Sequence, residues 1–79
     1  MGESAHYRER NEFLVLDWNA AHPVGTDVSI MKDDGGTIQT WTVSTAWVSQ
    51  DFGAVLMAEG VLGCVHLSRI TAIDAAALA

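Results

Sequence analysis

Cys64, His66, Ser68 and Arg69 are the residues of this chain whose types could do chemistry at close quarters. They lie in the stretch Gly60-Val-Leu-Gly-Cys-Val-His-Leu-Ser-Arg-Ile70. Alternate side chains of a strand share a face, so Cys64, His66 and Ser68 point one way and Val65 and Leu67 the other. A thiol beside an imidazole can make a nucleophile pair, or half of a metal site. A nucleophilic thiol needs a lowered pKa and an orienting third group. A zinc site needs three or four ligands. The only other histidines are His6 and His22, both outside the expected sheet, and there is no second cysteine. The simpler reading is structural: Val65 and Leu67 face a core, and Cys64 and His66 meet a subunit contact. No catalytic residue, metal or cofactor is therefore expected.

The other candidates read the same way. Asp33 and Asp34 are turn acids, and Asp51 and Glu59 flank turns. Trp41 and Trp47 are large anchors for a core or an interface, with an exposed ligand platform as the sharper alternative. In Ala54-Val-Leu-Met-Ala58 both parities are apolar. A strand buried on both sides implies a second layer over Val55 and Met57, from the N-terminal segment or from another subunit. Trp41, Trp47, Val55, Met57, Cys64 and His66 are thus the expected interface or ligand-contact residues. Phosphate-loop, metalloprotease-helix, nucleophile-elbow and EF-hand motifs are absent from the sequence.

The elements that must position these residues are short strands. Thr26 to Lys32 alternates, with Val28 and Ile30 on one face. Asp33-Asp34-Gly35-Gly36 reads as a hairpin turn. Thr37 to Ser49 is rich in β-favouring types. Its apolar parity switches from Trp41 and Val43 to Ala46 and Val48, which predicts a bulge or bend near Thr45. Strands over Ala54 to Glu59 and Cys64 to Leu67 follow, joined by a turn from Gly60 to Gly63. A 3₁₀ turn at Ser68-Arg69, a last strand over Ile70 to Ile73 and a short helix over Ala75 to Ala79, capped by Asp74, complete the chain. At the other end, residues 1–12 read as a polar tail or one or two helical turns. Phe13 to Trp18 reads as a strand or a segment laid over the domain, and His22-Pro23 forces extended or turn geometry. Turn signals about every ten residues predict an all-β fold, a single SH3-like five-stranded barrel over residues 13–79.

A chain of 79 residues buries only about 60% of its unfolded surface and needs a staple or a partner. One cysteine makes no internal disulfide. Self-association as a dimer or tetramer is the expected remedy, with a protein partner as the alternative. The net charge of −6 leaves no basic stripe for nucleic acid, only Lys32 and Arg69 as a local patch. The first twelve residues lack the apolar stretch of a signal peptide, and Gly53 to Leu67 is too short and glycine-broken to span a bilayer. A cytoplasmic location is expected.

Two resemblances join these readings. The motifs Trp18-Asn19-Ala-Ala-His22-Pro23-Val24-Gly25-Thr26, Asp34-Gly35, Ser44-Thr45-Ala46-Trp47, Glu59-Gly60 and Gly63-Cys64-Val65, with Leu67-Ser68-Arg69-Ile70, resemble a group of small uncharacterised proteins of phages, prophages and mobile gene cassettes. The resemblance covers about Trp18 to Ile73 and implies no activity. The Gly-x-Val-x-Leu pattern of the final strand also resembles the plasmid- and cassette-borne type II dihydrofolate reductases. That family forms a tetramer around one pore lined by a Val-Gln-Ile-Tyr strand. Here the stretch is Val65-His66-Leu67-Ser68, so the amide and the phenol are replaced. This second resemblance implies the fold and oligomerisation rather than reductase activity.

Overall fold

The computed structural model describes residues 2–73, as a small, mostly β domain of two antiparallel three-stranded sheets and one helix. Helix α1 spans Gly2–Ala21. The strands are β1 Asp27–Met31, β2 Thr37–Trp41, β3 Trp47–Ser49, β4 Gly53–Leu56, β5 Val65–His66 and β6 Ile70–Ala72, with a 3₁₀ turn at Leu67–Arg69. One sheet has the order β2-β1-β6 and the other β3-β4-β5. The strands, the Asp33–Gly36 turn and the 3₁₀ turn fall close to where the sequence places them. The expected terminal helix over Ala75 to Ala79 and its Asp74 cap lie outside the described residues.

The all-β expectation is corrected by α1. The supposed tail and the apolar run Phe13 to Trp18 belong to one helix, which crosses the expected boundary after residue 12. Tyr7, Asn11, Val15, Trp18 and His22 recur every three or four residues, the spacing of one helical face. Val15 and Trp18 pack on the core, while Phe13 and Leu16 are exposed on the opposite side. Pro23 stops the helix by disfavouring the α conformation at His22. The last turn closes with the His22 N–H donating to the Trp18 carbonyl at 2.8 Å.

The core is the cluster Val28, Ile30, Ala46, Leu56, Ala58, Val65 and Ile70, flanked by Val15, Trp18, Val61 and Leu67. Register explains it. Ile30 pairs with both Ile38 and Ile70, and Leu56 pairs with Val65. All four residues of β4 are buried. The second layer over this sheet is α1, which packs against β4 and β3.

Between β2 and β3 the chain bends, where the parity switch requires it. Thr42 bridges to Ala58, and beyond it the ladder stops. Side chains then replace backbone partners. The Ser44 hydroxyl accepts from the Met57 N–H at 3.0 Å. The Asn19 amide reaches across from α1, donating to the Ala46 carbonyl at 3.0 Å and accepting from the Ala46 N–H at 2.8 Å. Ala46 is 4% exposed, so its peptide groups would otherwise be largely cut off from water.

Asn19→Ala should therefore cost about 2–4 kcal/mol, since it removes two hydrogen bonds and strands two largely buried backbone groups. Urea unfolding checks this. A loss below about 0.5 kcal/mol, the scale of an ordinary surface change, would show that the bend holds itself.

Candidate functional site

An open cleft of about 950 Å³ lies between the β1–β2 hairpin and the segment from Val61 to Arg69. Ile30, Ile38, Phe52, Val55 and Val65 give it apolar walls. Cys64 and His66 line it too, as do Lys32, Asp33, Asp34 and Arg69. The volume and the mostly apolar lining fit a small-molecule site.

The charged residues offset one another. Arg69 Nη1 lies 2.6 Å from Asp33 Oδ1 and also donates to the Met31 carbonyl at 3.2 Å. Lys32 Nζ stands 3.7 Å from Asp34 Oδ2. Lys32 and Arg69 do meet on one cleft, but each faces an acid, so they form no free positive patch. Both pairs are substantially exposed and contribute little to stability.

His66 is half-buried at the end of β5 and caps the 3₁₀ turn. The Ser68 backbone N–H donates to its Nδ1 at 3.1 Å, and the Ser68 Oγ lies 2.9 Å from the same atom. With Nδ1 accepting, the neutral ring carries its proton on Nε2. That nitrogen stands over Gly53. A Cβ on Gly53 would lie 2.9 Å from Tyr7 Oη, 3.2 Å from His66 Nε2 and 3.3 Å from Asn11 Nδ2. Gly53 also has φ of +80°, a conformation that favours glycine. Asn11 is 4% exposed, and its Nδ2 has no hydrogen-bond partner.

The expected contact residues are distributed as follows. Val55 is buried, paired with Trp47 on one side and His66 on the other. Cys64 and His66 share the cleft, but the imidazole bonds Ser68 and not the thiol, and Cys64 is exposed. Val65 is in the core, and Leu67 packs on its edge. Met57 is exposed. Trp41 and Trp47, expected as core or interface anchors, are 48% and 39% exposed and so are not core residues. In β2 the inward parity belongs to Thr40, which turns Trp41 outward. Trp41 borders a shallow groove with Gln39 and Ile73, and the one aromatic ring pair among the described residues is Trp18 with His22, 4.3 Å between centroids. Among those residues no group of three or more His, Cys, Asp or Glu is placed to hold a metal ion, and no helix is long and apolar enough to cross a membrane. Sequence reasoning missed Tyr7, Asn11 and Gly53. Their signal is the helical spacing of the two side chains and the Phe-Gly step that ends the β3–β4 turn.

The chain is a small, mostly β domain with a mostly apolar cleft beside a polar cluster. Comparison with family models, with curated proteins and with solved structures returns no match for this chain.

Gly53→Ala should destabilise by about 1–3 kcal/mol, since strained φ and a close contact coincide there. Cys64→Ser should change stability by less than about 0.5 kcal/mol, as an exposed substitution. Parallel thermal melts compare them, and equal melting of the two variants would contradict the tight packing at Gly53.

Proposed function

We propose that the chain is a non-enzymatic binding and assembly module that associates with copies of itself. The observation that carries this reading is the balance of apolar surface. Among the described residues, fourteen large apolar or aromatic side chains, from Tyr7 to Leu62, are exposed. Only nine apolar side chains are buried, three of them alanines. The exposed set occupies the outer face of α1 at Phe13 and Leu16, strand β3 at Trp47, and the positions flanking β4 at Phe52 and Met57. Apolar surface on this scale in so small a chain marks an interaction surface. The mobile-element origin of the module rests on the motifs from Trp18 to Ile73.

We read the two sheets as halves of an SH3-like barrel in which β2 and β3 are one bent strand. Three features support this. β2 pairs with β1 while β3 pairs with β4. The Thr42–Ala58 bridge lies at the bend. After the 3₁₀ turn, β6 returns to pair with β1.

A second reading, a small-molecule-binding oligomer or pore-type reductase, draws on the cleft and on His66 within it. The amide and phenol positions are His66 and Ser68, and their side chains are engaged with each other.

Light scattering on a sizing column should give a dimer or tetramer at micromolar concentration. Trp47→Ala combined with Met57→Ala should move the mass towards the monomer. A monomeric wild type removes the assembly reading. NADPH-dependent reduction of dihydrofolate should stay at background, and turnover abolished by His66→Ala would instead establish the reductase.

A further inference from the structure

We propose that the groove beside Trp41 receives an arginine side chain from a basic segment of a partner protein. Register builds the site. Trp41 stands opposite Asp27 on β1. On its other side the Thr42–Ala58 bridge sets Trp41 opposite Glu59, and the Glu59 N–H donates to the Trp41 carbonyl at 3.0 Å. Directly opposed residues of antiparallel strands share a face, with Cβ atoms about 5 Å apart. One exposed indole is therefore flanked in a row by two exposed acidic residues. Gln39, two residues back on the same face of β2, and Ile73 join Trp41 and Asp27 around a groove of about 260 Å³.

The chemistry of this row selects the occupant. Asp27 and Glu59 offer carboxylates, Gln39 an amide oxygen, and Trp41 a ring face that attracts cations. No Lys or Arg lines the groove. The ion pairs among the described residues are Lys32–Asp34 and Arg69–Asp33, so neither carboxylate beside Trp41 is neutralised there. Arginine suits the row better than lysine, because a planar guanidinium stacks on an indole and pairs side-on with a carboxylate. The groove is smaller than the roughly 300–1,000 Å³ of small-molecule sites, so it takes one side chain rather than a whole ligand. Val43 follows Trp41 on the same face and is exposed, which gives an apolar neighbour of the arginine a seat. Charge does not select a second copy here. The chain carries −6, Lys32 and Arg69 face acids, and Arg8 and Arg10 are interleaved with Glu9 and Glu12 on α1. The chain's own Asp74 to Ala79 holds an acid and no base.

The probe is the pentapeptide Leu-Arg-Leu-Arg-Leu, blocked at both ends, titrated into the full chain and followed residue by residue by NMR. Its counterpart with glutamate in place of both arginines is titrated beside it. Saturable shifts are expected at the Trp41 indole N–H and at the Asp27 and Glu59 amides with the arginine peptide, and none with the glutamate peptide. Trp41→Leu should weaken binding about two- to fivefold, the size of an exposed cation–π contact. Asp27→Asn combined with Glu59→Gln should weaken it about fivefold. Added salt should weaken the wild type more than that double variant. Both acids are exposed, so the double variant should melt as the wild type does and its binding loss reports the contact rather than the fold. Unchanged binding in either variant overturns the proposal. So does equal binding of the glutamate peptide, or the absence of a saturable shift at Trp41. The site does not rest on self-association: a monomeric wild type removes that reading and leaves this titration to be judged on its own.

Discussion

The contact between Asn19 and Ala46 is the constraint on which the rest of the structure depends. Between β2 and β3 the chain passes from one sheet to the other, and at that bend the peptide groups of Ala46 have side-chain rather than ladder partners. One side-chain amide from α1 supplies both a donor and an acceptor to that largely buried step of backbone. It also fixes where the helix sits. With α1 held there, Val15 and Trp18 reach the core, and the β3–β4 hairpin is covered on its second face. The same contact thus serves both the seating of the helix and the bend between β2 and β3.

The other end of the helix meets the sheet differently. At Gly53 the contact is close and polar, and it leaves the Asn11 amide nitrogen without a partner. Tight packing of that kind stabilises only through the apolar area around it, and it places a hydrogen-bonding demand beside a cleft. Strand β4 therefore carries a structural requirement at Gly53, next to His66 on the neighbouring strand β5.

Much of the sheet was legible in the sequence, and most of the helix was not. Val28 and Ile30 alternate cleanly, Asp34-Gly35 punctuates a hairpin, and the parity switch before Ala46 announces the bend. Each of these signals is local. Helix α1 hides because Phe13, Leu14, Val15 and Leu16 are contiguous, so apolar side chains occur on both of its faces and read as a short strand. Its inward stripe also includes Asn11 and Asn19, polar residues whose partners or neighbours lie far along the chain. The outward turn of Trp41 escaped for a related reason: Thr40 takes the inner position and sends its hydroxyl to the Glu59 carbonyl at 2.7 Å. The meeting of Tyr7, Asn11 and His66 depends on where a helix docks, which no local pattern specifies.

The unequal anchoring of α1 makes it a graded element. Near Pro23 it is tied by a short connection to β1 and by two hydrogen bonds from Asn19; near Tyr7 it leans on a glycine and an unanswered amide. Local opening in proteins follows such differences in buried contacts. Opening at Asn19 would strand the Ala46 peptide groups and uncover Val15 and Trp18, which makes this part of α1 costly to detach. Backbone amides around Trp18 are therefore expected to exchange with solvent more slowly than those around Tyr7.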